Sequence, residues 1–338
     1  MTEAAGLDLV ALQRFFDRAV PGAGRIQAEL LHGGRSNLTY RITDGQSIWV
    51  LRRPPLGVLT PSAHDMAREY RVAAALQGTK VPVARPIVLH ESPEVLGVPF
   101  SVVEHVDGRV IRSRAELHAL SDAEITRCAN GLIDVLAQLH EVDAAEVGLA
   151  GFGRPRGYLS RQLRRWRDQW TRVATRELDD IDRLYRRLCE ACPAESGASI
   201  VHGDFRIDNA ILDSANAGTV RAVVDWEMAT LGDPLADLGL HIAYSDPAFD
   251  PVLGGAAACT SPRLPTADAI VARYAAASAR VVDDISFYVG LGYFKASVIA
   301  EGIHARHTQG MTIGSGFDTV GVAVPQLASA GLVALRKT

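Results

Sequence analysis

The stretch Ile200-Val201-His202-Gly203-Asp204-Phe205-Arg206-Ile207-Asp208-Asn209-Ala210-Ile211-Leu212, with Val223-Val224-Asp225-Trp226-Glu227 a little further on, decides how this chain is read. Two apolar runs bracket a polar loop, a pattern that reads as strand, loop and strand, and a further short strand ends at Asp225. The loop carries Asp204 and, five residues later, Asn209. One carboxylate that can accept a proton, together with an amide and a second carboxylate that can hold a hard cation, is the set phosphoryl transfer needs. The cation neutralises phosphate charge, and the free carboxylate orients the attacking hydroxyl.

His202-Gly203-Asp204, Asn209 and Val224-Asp225-Trp226-Glu227 in this spacing resemble the signature of the aminoglycoside phosphotransferase and choline kinase family, a branch of the protein-kinase-like fold. The resemblance places the catalytic aspartate on Asp204 and the two magnesium ligands on Asn209 and Asp225. It implies an α+β, bilobal architecture. A small N-terminal nucleotide-binding lobe with an antiparallel sheet would cover residues 1–105. A larger, mostly helical C-terminal lobe over 106–338 would carry the catalytic loop and the acceptor site.

Composition agrees with a folded protein of that size. The 338 residues suffice for two lobes, and 48% hydrophobic with 22% charged residues is ordinary for a soluble globular chain. A net charge of -4 gives no sign of a nucleic-acid partner. Glu3, Asp8, Arg14 and Asp17 interrupt the start, so it does not read as a signal peptide. No run approaches the ~18 uncharged apolar residues of a membrane span. The expectation is a cytoplasmic protein. Cys189 and Cys192 form a C-x-x-C pair without further ligands at zinc spacing, and Cys128 and Cys259 stand alone, so ordinary cysteines are expected.

In the N-terminal part, Leu9, Leu12 and Phe16 lie at helical spacing, and strands are expected over 26–31, 38–43 and 47–52. Between the first two lies His32-Gly33-Gly34-Arg35-Ser36-Asn37. Gly33 and Gly34 allow the backbone to come close to phosphates, and Ser36 and Asn37 complete this candidate nucleotide loop. The third strand ends in Leu51-Arg52-Arg53, where kinase-like proteins usually have lysine. Arg52 takes the matching position, with Arg53 as the alternative, since alternation turns one of them to the cleft and one away. A helix is expected over 61–77. By resemblance, its Glu69 pairs with the strand's cation. Strands over 86–90 and 99–103 lead to a connector similar to the family's hinge, where adenine would meet the backbone of Glu104, His105 and Val106.

In the C-terminal part, Ser121 and Glu124 form a capping box ahead of a core helix with Ile125, Cys128, Leu132, Val135 and Leu139 on one face. His140 at its end reads as structural, with no acid partner evident in the sequence. Leu159, Leu163, Trp166 and Trp170 give the next helix an apolar face. Residues 154–187 hold eleven arginines against five acids, and Arg161 and Arg165 are candidates for the acceptor site. The run from Tyr158 to Trp166 also resembles kinase domains fused to acyl-CoA dehydrogenases. An enzyme acting on polycationic aminoglycosides should present carboxylates, so an arginine-rich helix favours a neutral or anionic acceptor such as a hydroxyacyl-CoA or hydroxy acid. Asp233 is placed to cap a helix starting at Pro234. Asp237 resembles the family's buried acid that braces the catalytic loop. Helices over 266–279 and 283–305 follow, the latter with Tyr288, Lys295, Glu301 and His304 as candidate polar contacts. Tyr288, Lys295 and Glu227 join the acceptor-site candidates.

The expected activity is magnesium-dependent transfer of the γ-phosphoryl of ATP to a hydroxyl of a small molecule. An aminoglycoside or macrolide kinase is the first alternative. A nucleotide-binding protein without turnover is the second: arginine at the usual lysine position favours it, and the intact set Asp204, Asn209 and Asp225 opposes it.

Overall fold

The structure, a computed structural model, describes residues 6–31, 37–55, 65–312 and 316–336. The chain separates into two compact units, one comprising 1–107 with 221–229, the other 108–220 with 230–338.

In the first unit, α1 (Leu9–Ala19) starts where the Asp8 carboxylate accepts the N–H groups of Val10 and Ala11, at 3.0 and 2.9 Å. Five strands follow: β1 (Gln27–Leu31), β2 (Leu38–Thr43), β3 (Ile48–Arg53), β4 (Pro86–His90) and β5 (Phe100–Glu104). They form one antiparallel sheet in the order β1-β2-β3-β5-β4. Leu12 and Phe16 of α1 pack with Tyr40, Ile42, Leu51, Phe100 and Val102 in a closed apolar core. The two-residue period of β3 separates neighbouring arginines. Trp49, Leu51 and Arg53 are buried on one face, and Arg52 lies on the other. The guanidinium of Arg53 is spent on backbone, donating to the carbonyls of Gly6 and Pro54.

The helix α2 (Met66–Ala75) is shorter than the expected 61–77, because the Asp65 side chain caps it at the Arg68 N–H; residues 61–64 lie outside the described residues. The segment 221–229 departs from the expected boundary, which had placed it in the larger lobe. It docks on the first unit through a Val223 N–H to Pro82 carbonyl bond of 2.8 Å, a parallel bridge from Val83 to Val223, and an Arg68 Nε to Ala229 carbonyl bond of 2.8 Å.

The second unit begins with α3 (Arg114–His118), α4 (Asp122–Glu141), α5 (Tyr158–Val173) and α6 (Asp179–Glu190). After these come β6 (Ser199–Val201), β7 (Ala210–Leu212), β8 (Val220–Val223), which leads out of the unit, and β9 (Thr230–Gly232). The chain closes with α7 (Pro234–Ala243), α8 (Asp250–Leu253), α9 (Ala267–Ser278), α10 (Ile285–Thr308) and α11 (Val320–Ala334). Capping boxes at Ser113/Glu116 and Ser121/Glu124 satisfy the first amides of α3 and α4. The strand β6 pairs antiparallel with β9, and α10 packs against α5, α6, α7 and α11. The approach of α7 to α10 is so close that a Cβ on Gly239 would stand 2.4 Å from the Tyr288 carbonyl carbon. Glu301 on α10, fully buried, accepts from the Thr175 backbone N–H and hydroxyl at 2.9 and 2.6 Å, and from Arg176 at 3.1 Å. No helix among the described residues is long and apolar enough to cross a membrane.

Candidate active site

Within the second unit, the loop after β6 turns at Gly203, whose φ of 81° is the left-handed conformation that favours glycine. Asp204 follows, and a single helical turn, Ile207–Asn209, brings Asn209 back to it. The Asn209 Nδ2 donates to the Asp204 carbonyl at 2.9 Å and to its Oδ2 at 3.0 Å. Arg206 Nε donates to the same Oδ2 at 3.3 Å, and the Tyr244 hydroxyl donates to Oδ1.

One stripe of α7 and its cap holds this loop. Asp237, His241 and Tyr244 stand at i, i+4 and i+7, a single helix face. Asp237, only 2% exposed, accepts the N–H groups of His202 and Gly203, the latter at 2.7 Å. His241 Nδ1 lies 3.1 Å from the Phe205 carbonyl. The loop is therefore gripped at backbone and carboxylate by one element. The acid partner that the sequence did not reveal for His140 is Asp237, 3.4 Å from Nε2, while Nδ1 lies 2.7 Å from the Tyr274 hydroxyl. From α10, Lys295 Nζ donates to the Gly203 carbonyl and lies 5.7 Å from the Trp166 ring centre. A cavity of about 30 Å³ lined by Tyr158, Gln162, Trp166, Gly203, Asp237 and Lys295 adjoins it. That is room for water and not for a metabolite.

Charge follows from these contacts. Burial pushes the Asp204 carboxyl up, but Arg206, the Tyr244 hydroxyl, Lys295 and His202 outweigh it and hold the group below the usual aspartate range. Burial pushes the Lys295 ammonium down against the pull of Asp204 and Asp237. Asp208, paired with Arg206, is raised by burial despite that partner.

The first unit carries a second constellation. Asp225 has φ 68°, a left-handed backbone unusual for a residue with a side chain. Arg52 Nη2 lies 3.3 Å from Glu69 and 3.2 Å from Asp225. Glu69, Asp225 and Glu227 each offer a carboxylate oxygen within 4.8 Å of the others. The Arg52 guanidinium pairs with Glu69 and Asp225 and lies in the field of Glu227. Burial pushes Glu69 up to about 7, Arg52 pulls it down, and Asp225, Glu227 and Asp65 raise it further. An all-oxygen set short of positive charge fits a hard divalent cation such as magnesium. Asn37, 4% exposed, turns its amide to Glu227 at 3.4 Å.

Several expected contacts are redistributed. Gly33, Gly34 and Ser36 lie outside the described residues. At the connector, the Glu104 N–H donates to the Arg85 carbonyl at 2.8 Å and the His105 N–H to the Ile48 carbonyl at 3.2 Å. Arg161 donates to the carbonyls of Arg154 and Arg156, and Arg165 is exposed with its guanidinium 5.5 Å from the Trp166 ring centre. Tyr288, 1% exposed, donates to Asp233 at 2.9 Å and so supports the α7 cap. Glu227 lies beside Glu69 and Asp225 in the field of Arg52. Arg206, His241 and Tyr244 were missed by sequence reasoning. The signal was a polar stripe at i, i+4 and i+7 beginning on an otherwise apolar helix.

The antiparallel sheet of the first unit and the braced loop of the second define the protein-kinase-like class of phosphotransferase fold. The model of the phosphotransferase enzyme family that includes aminoglycoside phosphotransferases matches residues 27–269, and the chain belongs to that family. It is similar to acyl-CoA dehydrogenase family member 11 of Gallus gallus, 34% identical over 338 aligned positions that cover 96% of this chain and 43% of that protein. The chain thus spans less than half the length of the curated relative it matches. A solved Ralstonia eutropha structure, provisionally described as an aminoglycoside phosphotransferase, has 31% identity, a TM-score of 0.83 and 98% coverage of both chains. A thermostable variant of aminoglycoside phosphotransferase APH(4)-Ia, solved with ADP and hygromycin B, shares the fold at 15% identity and TM-score 0.63, over 96% of this chain and 97% of that one. The chain is a phosphotransferase of the small-molecule kinase kind.

Proposed function

We propose that this chain transfers the γ-phosphoryl of ATP to a hydroxyl of a small neutral or anionic molecule, using magnesium. The observation that carries the reading is Asp204: a partly exposed carboxylate, held below the usual aspartate range and met by donors at both oxygens, in a loop braced from α7. In the step, the bond from the γ-phosphorus to the ADP oxygen breaks, a bond to the acceptor oxygen forms, and the acceptor's proton passes to Asp204. Asn209 and Asp225 each offer an oxygen to magnesium, which when bound neutralises phosphate charge. Arg52, fixed by Glu69, supplies the fork that meets phosphate, and the backbone from Glu104 to Val106 would meet adenine. The first unit is accordingly the nucleotide-binding part, and the second holds the acceptor.

Lys295 and Arg206, the cations facing Asp204, support an acceptor that is neutral or anionic, such as a hydroxyacyl-CoA or hydroxy acid. The acyl-CoA dehydrogenase name of the curated relatives points the same way. The test is magnesium-dependent ADP release across hydroxyacyl-CoAs, hydroxy acids, aminoglycosides and macrolides, with Asp204→Ala alongside. One acceptor class should stimulate release, and the variant should lose turnover by about 10²-fold or more while still binding magnesium-ATP. Turnover near wild type in the variant overturns the role of Asp204, and stimulation by aminoglycosides alone overturns the acceptor class.

A further inference from the structure

We infer that Tyr244 is a positioning residue for Asp204, its hydroxyl fixing which carboxylate oxygen receives the acceptor alcohol. The inference rests on the reading of Asp204 given above and extends it.

A carboxylate oxygen has two lone-pair sites. At Asp204, Oδ2 takes two donors, Arg206 Nε at 3.3 Å and Asn209 Nδ2 at 3.0 Å, so that oxygen is filled. Oδ1 takes one donor among the described residues, the Tyr244 hydroxyl. One site remains on Oδ1, beside the phenol oxygen, and that is where an incoming alcohol finds an acceptor for its proton. The carboxylate cannot rotate to offer Oδ2 without losing all three bonds.

Tyr244 is itself held. Its ring carries the Arg206 guanidinium 5.5 Å from its centre, and Phe249 packs edge-on at 4.9 Å between centres. It caps α7, the helix whose Asp237 holds the loop backbone. Backbone and carboxylate of the loop are thus referenced to the same helix, the arrangement that keeps a reacting geometry within the few tenths of an ångström that efficient transfer requires.

Two variants separate the hydroxyl from the ring. Tyr244→Phe keeps the ring between Arg206 and Phe249 and removes only the donor. Tyr244→Leu removes both. In the full-length chain with magnesium-ATP, ADP release is measured with the alcohol found by the acceptor panel, or with water as acceptor if the panel yields none. Tyr244→Phe should lower kcat roughly tenfold or more, the size of one hydrogen bond to a charged group, and should match Tyr244→Leu. The KM for ATP and the melting temperature of Tyr244→Phe should stay near wild type. If Tyr244 acts through packing, Tyr244→Phe is silent and Tyr244→Leu alone is impaired, which overturns the inference. Should Tyr244→Phe lose its fold, Tyr244→His, which still donates from a ring, must outpace Tyr244→Leu, and equal rates overturn it. Wild type no faster than Asp204→Ala removes the underlying reading and the inference with it. Wild type and Tyr244→Phe equal beside an inactive Asp204→Ala removes the inference alone.

Discussion

Replacing Asp237 with alanine tests how the Asp204 loop is held. Its carboxylate, 2% exposed, accepts two backbone N–H groups, from His202 and Gly203, and faces His140. In the variant both amides lose their acceptor, that of His202 fully buried and that of Gly203 half-buried beside the small cavity. Each stranded donor costs about 1–3 kcal/mol, so the pair costs about 2–6 kcal/mol. Domains are stable by about 5–15 kcal/mol, which makes this a large share. For a unit of about 220 residues, about 2–4 °C are lost per kcal/mol, so melting should fall by roughly 4–24 °C. The cost also has a pH signature. Burial pushes the Asp237 carboxyl up, but His140, His202 and the Gly203 amide outweigh it and hold the group below its usual range. A group depressed on folding contributes its stability above the unfolded value, near pH ~4, and loses it as pH falls through the folded value. The gap between wild type and Asp237→Ala should therefore be full at neutral pH and narrow in acid. Calorimetric scans at several pH values measure both. A variant melting within about 2 °C of wild type at pH 7 would refute the reasoning, since stranding the fully buried His202 amide should by itself cost more.

Adjacent arginines of β3 should behave oppositely. Arg52→Ala removes the guanidinium paired with Glu69 and Asp225 and should weaken magnesium-nucleotide binding by about tenfold or more, whereas Arg53→Ala, which loses bonds to Gly6 and Pro54, should lower stability and leave that affinity unchanged; titration calorimetry on both separates them. Glu69 supplies a pH test of opposite sign to Asp237. Its folded value is raised from 4.5 to about 7, so its neutral form suits the fold and stability is lost as pH rises across that interval. Without magnesium, Glu69→Gln should gain on wild type in melting temperature between pH 5 and pH 8, and a constant difference would contradict the charge crowding around Arg52.

The strongest features of the fold were local in the sequence. Apolar alternation marked the strands, and Ser121 and Asp233 announced helix starts that the structure realises with side-chain caps. The alternation of β3 carried the choice between Arg52 and Arg53 in principle, because Trp49 and Leu51 share their face with Arg53. What sequence could not show was long-range partnership. Tyr244 lies 40 residues from the carboxylate it bonds, Lys295 lies 92 from the carbonyl it bonds, and His140 lies 97 from Asp237. Nothing local to α5 said that Arg161 turns back to the carbonyls of 154 and 156. The docking of 221–229 on the first unit was hidden for the same reason: a segment following the Asp204 loop in sequence need not stay with it in space.

The helix α10 gives the Asp204 loop a property that loops seldom have. Tyr288 near its start supports the cap of α7, Lys295 midway holds the Gly203 carbonyl, and Glu301 near its end fixes 175–176. The amides of His202 and Gly203 donate to a side chain of α7, and α7 packs tightly on α10. Exchange of those two amides with deuterated solvent then requires α7 and α10 to separate, not a local excursion of the loop. They should rank with the slowest-exchanging amides of the second unit, alongside those of its core helices, so that a polar loop opens only when two apolar helices do.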